Sequence, residues 1–172
     1  MKKNREWAGF ALFVLAAAVG ISGFVWWTSR PVELAAEDLI PAETCESYPE
    51  TELSLELTKY KIAVTFHNNS DTTFYHGDPP DYSSLDVRLD GKWYYVPHED
   101  YSTAGVGMET GPEQSFTFEP ILAPYGKLPD GEYRISFGFW NAEVMPIDRL
   151  PEGVLYARFD VSDGYYIQPQ TP

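Results

Sequence analysis

Apolar positions first form one unbroken block and then, after a gap, fall into strict alternation. The block runs from Ala8 to Trp27 behind a basic head of Lys2, Lys3 and Arg5. About twenty such residues at 1.5 Å rise give roughly 30 Å of helix, the thickness of a bilayer's hydrocarbon core. Residues 8–27 therefore predict a transmembrane helix that contacts the membrane directly. The cationic end stays in the cytoplasm, everything after Arg30 lies outside, and Trp26 and Trp27 suit the outer interface. A cleaved signal peptide competes with this, since Ala16-Ala17-Ala18 is a small-residue site, but signal cores span only about 7 to 15 residues. The lone Cys45 follows Ala42-Glu43-Thr44, not a lipobox, and lies far beyond the block. Ala16 and Gly20 form one small-xxx-small pair, too common a pattern to predict dimerisation. The expectation is an uncleaved anchor.

Residues 31–51 lose all periodicity and gain Pro31, Pro41, Pro49 and six spaced acids, which predicts an extended, self-repelling stalk. A short helix around 35–39 would lack a cap. Alternation then begins. Leu53, Leu55 and Leu57 share one face, as do Tyr60, Ile62, Val64 and Phe66. Asn68-Asn69-Ser70-Asp71 has turn chemistry, and residues 72–75 form a short extended piece. Leu85, Val87 and Leu89 alternate with Asp86 and Arg88 before Asp90-Gly91, which supplies the positive φ angles of a two-residue hairpin, and residues 92–96 return. Further strands cover 114–118, 132–140 and 154–161. About seven or eight short strands without a helix beyond the anchor predict an all-β antiparallel sandwich over residues 52–162, followed by a tail at 163–172.

Leu128, Gly131 and Tyr133 stand directly before the penultimate strand, where immunoglobulin-like sandwiches carry a tyrosine corner. In such a corner the phenol bonds to upstream backbone and pins the crossing between sheets. A plain core tyrosine is the alternative. Asp90-Gly91-Lys92-Trp93-Tyr94 with Val96-Pro97, then Tyr125-Gly126-Lys127-Leu128 and Gly131-Glu132-Tyr133-Arg134-Ile135, resemble bacterial immunoglobulin-like domains of Gram-positive envelope proteins. The resemblance implies an immunoglobulin-like fold and an extracytoplasmic setting, and it brings no catalytic residues. A weaker similarity to small bacterial proteinase inhibitors implies, as the rival function, a sandwich acting through one exposed loop at 97–112. Fold alone does not assign that activity.

Charge narrows the partners. The chain carries −14 and residues 1–30 carry +3, which leaves −17 on residues 31–172. Such a surface repels phosphate backbones, so no nucleic-acid partner is expected. A single cysteine makes no internal disulfide, and Cys45 is a free thiol or an intermolecular link.

Candidate chemistry is sparse. His67, His76 and His98 sit beside turn or acidic sequence, and His76, Asp78, Asp81, His98, Glu99 and Asp100 would ligate a metal only if their loops converged. Their spacing fits no metal signature, which makes solvated loop residues the better reading and predicts no metal and no cofactor. Asn68-Asn69-Ser70 fits a glycosylation sequon and signifies an exposed turn. Nucleophile-elbow, P-loop and dinucleotide patterns are absent, so no catalytic residue is assigned and a metal-dependent or hydrolytic enzyme is the disfavoured class. Trp93, Tyr94 and Tyr95 put rings on both faces of one strand, to bind a partner or to lie under the stalk or the long loop. Residues 97–112, with three glycines, predict a long exposed loop. Tyr101, Val106 and Met108 are its partner-binding candidates, with His98, Glu99, Asp100 and Glu109 as a polar rim, and an envelope protein is the expected partner. A membrane-anchored, non-catalytic binding or accessory module is the resulting expectation.

Overall fold

The computed structural model describes residues 31, 33–44, 48–77, 84–98, 106–143 and 151–169. The apolar block at 8–27 lies outside them. Among the described residues no helix is long and apolar enough to cross a membrane. Among the described residues ten strands are present: β1 (Thr51–Leu57), β2 (Ile62–Asn68), β3 (Phe74–His76), β4 (Leu85–Leu89), β5 (Lys92–Tyr95), β6 (Met108–Thr110), β7 (Gln114–Phe118), β8 (Gly131–Asn141), β9 (Gly153–Ser162) and β10 (Tyr165–Ile167). They form a three-stranded sheet, β1-β2-β7, and a seven-stranded sheet in which β10-β9-β8-β3-β6 is extended by β4 and β5 beside β8. The result is an all-β sandwich.

Alternation explains the packing. In β2 every second residue from Ile62 to Asn68 is buried, and Phe66 meets Phe137 and Phe139 from β8 across the sandwich. Phe66, Phe74, Phe137 and Phe139 pack with centroid separations of 4.9 to 6.3 Å. Each phenylalanine so buried contributes about 1.5 to 3 kcal/mol. The β4–β5 hairpin turns at Asp90 (φ 50°) and Gly91 (φ 78°), both in the left-handed region that a two-residue turn of this hand demands.

Strand β8 is the spine. Its residues 131–139 pair with β9 on one edge, while the other edge is shared by β4 near Tyr133 to Ile135 and by β3 at Trp140 and Asn141. Leu128 and Tyr133 are buried just before and within it, and the Tyr133 hydroxyl donates to the Pro129 carbonyl at 2.8 Å. Burial, with Asp130 nearby, raises the phenol's pKa, so it stays a donor at all physiological pH. Tyr133→Phe is expected to cost about 1 to 3 kcal/mol in urea unfolding, because it leaves the Pro129 carbonyl without this partner. Equal urea midpoints for the two proteins would show that the phenol carries no net stability.

Three expectations need correction. Ten strands among the described residues replace seven or eight because β6 and β10, with three residues each, are too short to display alternation, whereas β3 falls on the short extended piece expected at 72–75. The tail is not a tail: Asp163 and Gly164, both at positive φ, turn β9 into β10, whose Tyr166 packs edge-on against Phe159 at 5.7 Å. The stalk is not extended away from the domain. Leu34 and Leu39 pack on the core, Tyr48 sets its ring against Phe74 and Phe139, and Pro41 bridges Tyr94. A 3-10 turn at Ala36–Asp38, without a side-chain cap, shapes this docked segment. Its contacts are backbone bonds, isolated apolar side chains and the Thr44 hydroxyl, which leave no periodic mark in sequence.

Candidate functional site

The expected partner-binding loop is interrupted by β6, which pairs antiparallel with β3: Phe74 faces Thr110, Tyr75 faces Glu109 and His76 faces Met108. Tyr101, Glu99 and Asp100 lie outside the described residues. Val106 is 55% exposed and Met108 39%, the latter on a strand and not on a loop as expected. Facing directions divide the strand pair. Phe74, His76 and Thr110 are buried, whereas Tyr75 points outward, lays its phenol over Gly107 and approaches the Trp140 ring at 6.5 Å. A β-carbon at residue 107 would collide with that phenol, so any other residue there would have to displace the Tyr75 ring. The edge thus offers exposed Met108 on the face of its partner His76, preceded by exposed Val106, while the half-buried Tyr75–Trp140 pair lies with Glu109 on the opposite face.

Two buried polar residues hold this edge in place, and both correct the sequence reading. Asn68, at the end of β2, is fully buried. Its Nδ2 donates to the carbonyls of Thr72 (2.8 Å), Thr110 (3.1 Å) and Gly111 (2.9 Å), and its Oδ1 accepts from the Ser70 amide and hydroxyl. It is a tie between β2 and β6, not an exposed sequon. His76 is equally buried, not a solvated loop residue. Its Nδ1–H donates to the Gly77 carbonyl at 3.2 Å, so in the neutral ring Nε2 accepts from the Thr110 hydroxyl at 2.9 Å. The rings of Phe116, Phe137 and Phe66 surround it at 4.6, 5.2 and 6.3 Å.

That surround has a pH consequence. Burial lowers the His76 pKa below 6.5, against a smaller opposing effect of the Gly77 carbonyl. As pH falls through 6.5 the unfolded chain takes up the proton before the folded one, so this residue's contribution is full above pH 6.5 and declines below it. His76→Gln, which has no titrating ring, should show a flatter dependence of urea midpoint on pH between 5 and 7. Parallel profiles for the two proteins would mean that other groups set the acid limb.

The remaining histidines lie apart. His67 bonds Ser54 at 2.7 Å and Ser115 at 3.0 Å on the outside of the smaller sheet, while His98 meets the Tyr125 ring edge-on at 5.2 Å. Among the described residues no three His, Cys, Asp or Glu side chains are grouped as metal ligands. Asp78 and Asp81 lie outside that set. The cleft between Ser84, Leu85, Ile121, Tyr125 and Ile135 has a volume of about 10 Å³, room for a water and not for a substrate.

A second cluster escaped sequence reading. Asp86 and Arg134 alternate outward on β4 and β8, which reads as solvent-facing, yet each side chain is only 1% exposed. Arg134 Nε donates to Asp86 Oδ2 at 2.7 Å, and the guanidinium carbon lies 3.9 Å from the Tyr156 ring centre and 4.6 Å from that of Trp93. Nη1 donates to Thr44 Oγ1 at 2.9 Å and Nη2 to the Glu43 carbonyl at 3.3 Å. Docked residues 43–44 thus satisfy the rest of the guanidinium and help exclude water from the pair. Burial raises the Asp86 pKa, with the hydrogen bond and charge of Arg134 and the Ser84 hydroxyl pulling the other way. Trp93 is therefore half-buried against arginines, whereas Tyr95 is exposed.

Comparison with curated proteins gave no match, and comparison with solved structures gave none. Residues 49–151 match a family model described as a bacterial Ig-like domain, which covers β1 to β8 and stops short of β9 and β10. With more than half of its length matched and a two-sheet antiparallel sandwich over the same residues, the chain belongs to the bacterial Ig-like domain family.

Proposed function

We propose that this protein is a non-catalytic binding or accessory module, anchored in the cell membrane through residues 8–27 with its Ig-like domain outside the cell membrane. The β6 edge is its contact for an envelope protein. The observation that carries the contact is the exposure of Val106 and Met108 along the β6 edge, on a strand tied to the core through Thr110 by His76 and Asn68. Apolar and aromatic side chains on a rigid edge contribute most when a partner removes water from them. Export is supported by the basic head before the apolar block and by the family's name as a bacterial Ig-like domain.

A photo-cross-linker at Met108, in intact cells, should capture a defined envelope protein that the same group at Lys61 does not. With the group placed at Glu109 instead, Val106→Asp with Met108→Asp should reduce capture about tenfold or more while urea stability stays within about 1 kcal/mol. Unchanged capture by the double variant would remove β6 from the contact. External protease on spheroplasts should leave a membrane-bound N-terminal stub; a mature chain starting near Val19 would replace the anchor with a signal peptide. The inhibitor reading needs a single protruding loop over 97–112, and β6 ties the second half of that stretch into the sheet.

A further inference from the structure

The outer edge of β5 is already occupied. The Tyr95 amide donates to the Ile40 carbonyl at 3.0 Å and the Ala42 amide to the Trp93 carbonyl at 2.9 Å, with Pro41 opposite Tyr94 between them. In this antiparallel pattern the amide of the central residue points away from β5, so proline fits there at no loss of a bond. One residue further, the Glu43 carbonyl accepts from Arg134 Nη2 and, at 3.1 Å, from the Tyr156 hydroxyl, and Thr44 Oγ1 accepts from Arg134 Nη1. Residues 40–44 are thus an added strand followed by two acceptors that meet a buried guanidinium.

Charge matches across this contact. Residues 31–58 contain no Lys, Arg or His, and Glu33, Glu37, Asp38 and Glu43 lie in or just before the added strand. Opposite them, Arg88, Arg134 and Arg158 converge on the Trp93 ring at 6.0, 4.6 and 5.6 Å. Those are three of the eight Lys and Arg side chains that follow Arg30. Arg88 and Arg134 also pair with Glu132 and Asp86, so the guanidinium bonds to the Glu43 carbonyl and the Thr44 hydroxyl hold the segment more than net charge does.

We propose that the β5 edge and the Arg134 cluster form a strand-acceptor site, filled here by the chain's own residues 40–44, that takes the same residues from a second copy. The occupant is specified by the one sequence seen to fit. Exchange reproduces every bond just described, which is why swapping an element between identical chains costs little once the copies are close. The site lies on other strands than the β6 edge, and the two readings stand or fall separately.

Pro41 and Tyr94 are directly opposite in a non-hydrogen-bonded pair, where β-carbons lie about 4.5 to 5.5 Å apart, close enough to be joined by a disulfide after small adjustment. The test uses the full chain in detergent, with Cys45→Ser throughout. Copies carrying Pro41→Cys are mixed with differently tagged copies carrying Tyr94→Cys and mildly oxidised. The mixed disulfide should exceed by about tenfold that formed between Pro41→Cys and Lys61→Cys copies, since only a seated strand has a high effective concentration. A yield equal to that control overturns the proposal. A single chain carrying both substitutions should close its own disulfide, which shows that the cysteines leave the pairing intact. Should that control fail, light scattering decides on the unsubstituted chain: a concentration-dependent dimer lost on Ala42→Pro, which removes the amide that bonds Trp93 and leaves the Arg134–Asp86 pair intact, supports exchange, and a monomer at every concentration, or a dimer that Ala42→Pro leaves unchanged, overturns it.

Discussion

Arg134→Ala is expected to destabilise the domain by about 3 to 5 kcal/mol in urea unfolding, because it leaves the Asp86 carboxylate buried without its partner. The side chain is enclosed by Trp93, Tyr156 and docked residues 43–44, so no water is well placed to replace the guanidinium. Removing both charges is a different experiment. Arg134→Met with Asp86→Leu should recover most of the loss, since well-packed apolar residues in place of a buried pair are often neutral or stabilising. The double variant still loses the bonds to Thr44 and to the Glu43 carbonyl, so residues 40–44 should loosen even where global stability returns. Faster hydrogen exchange at the Ala42 and Tyr95 amides would report that. If Arg134→Ala alone stays within about 1 kcal/mol of wild type, the carboxylate has found solvent and the cluster is not sealed.

Why this pair was invisible in sequence is instructive. Alternation told which residues face the core, and there it served well: Ile62, Val64, Phe66, Tyr133, Ile135, Phe137 and Phe139 all point inward. It says nothing of what covers the opposite face. Asp86 and Arg134 obey the outward rule and are nevertheless buried, because an aperiodic segment 40 to 90 residues earlier in sequence lies over them. A hairpin at Asp90-Gly91 depends on two adjacent residues and was legible. The docking of residues 33–44 depends on backbone bonds, on Leu34 and Leu39 and on the Thr44 hydroxyl, none of which recurs with a period, and was not.

The candidate site divides along the same line. Val106 and Met108 are exposed apolar residues, which composition and loop context can single out. Their support came from His76 and Asn68, and each was misread through its neighbours. His76 precedes Gly77-Asp78-Pro79-Pro80 and Asn68 opens Asn-Asn-Ser-Asp, both strong turn contexts. The only available signal was phase: His76 follows Phe74 by two and Asn68 follows Phe66 by two, on the inward face of each strand.

That support decides what happens when the stretch after residue 101 is shortened. From sequence alone, replacing residues 102–110 by a tight turn should change stability by under about 1 kcal/mol, because loop closure depends weakly on length. The structure reverses this expectation. The deletion removes β6, takes the Thr110 hydroxyl from His76 Nε2 and the Thr110 carbonyl from Asn68 Nδ2, and opens the inner face of β3 where Phe74 and His76 are buried. Each buried polar group left unpaired costs about 1 to 3 kcal/mol, so the loss should be about 2 to 5 kcal/mol. Shortening confined to residues 102–105 leaves β6 whole and should stay within about 1 kcal/mol. Urea unfolding of both deletions separates the cases, and a longer deletion as stable as the shorter would mean that β6 adds nothing to the sheet. Cross-linking in cells then reads function from the shorter deletion alone, since only there does a lost partner report on recognition instead of on a damaged fold.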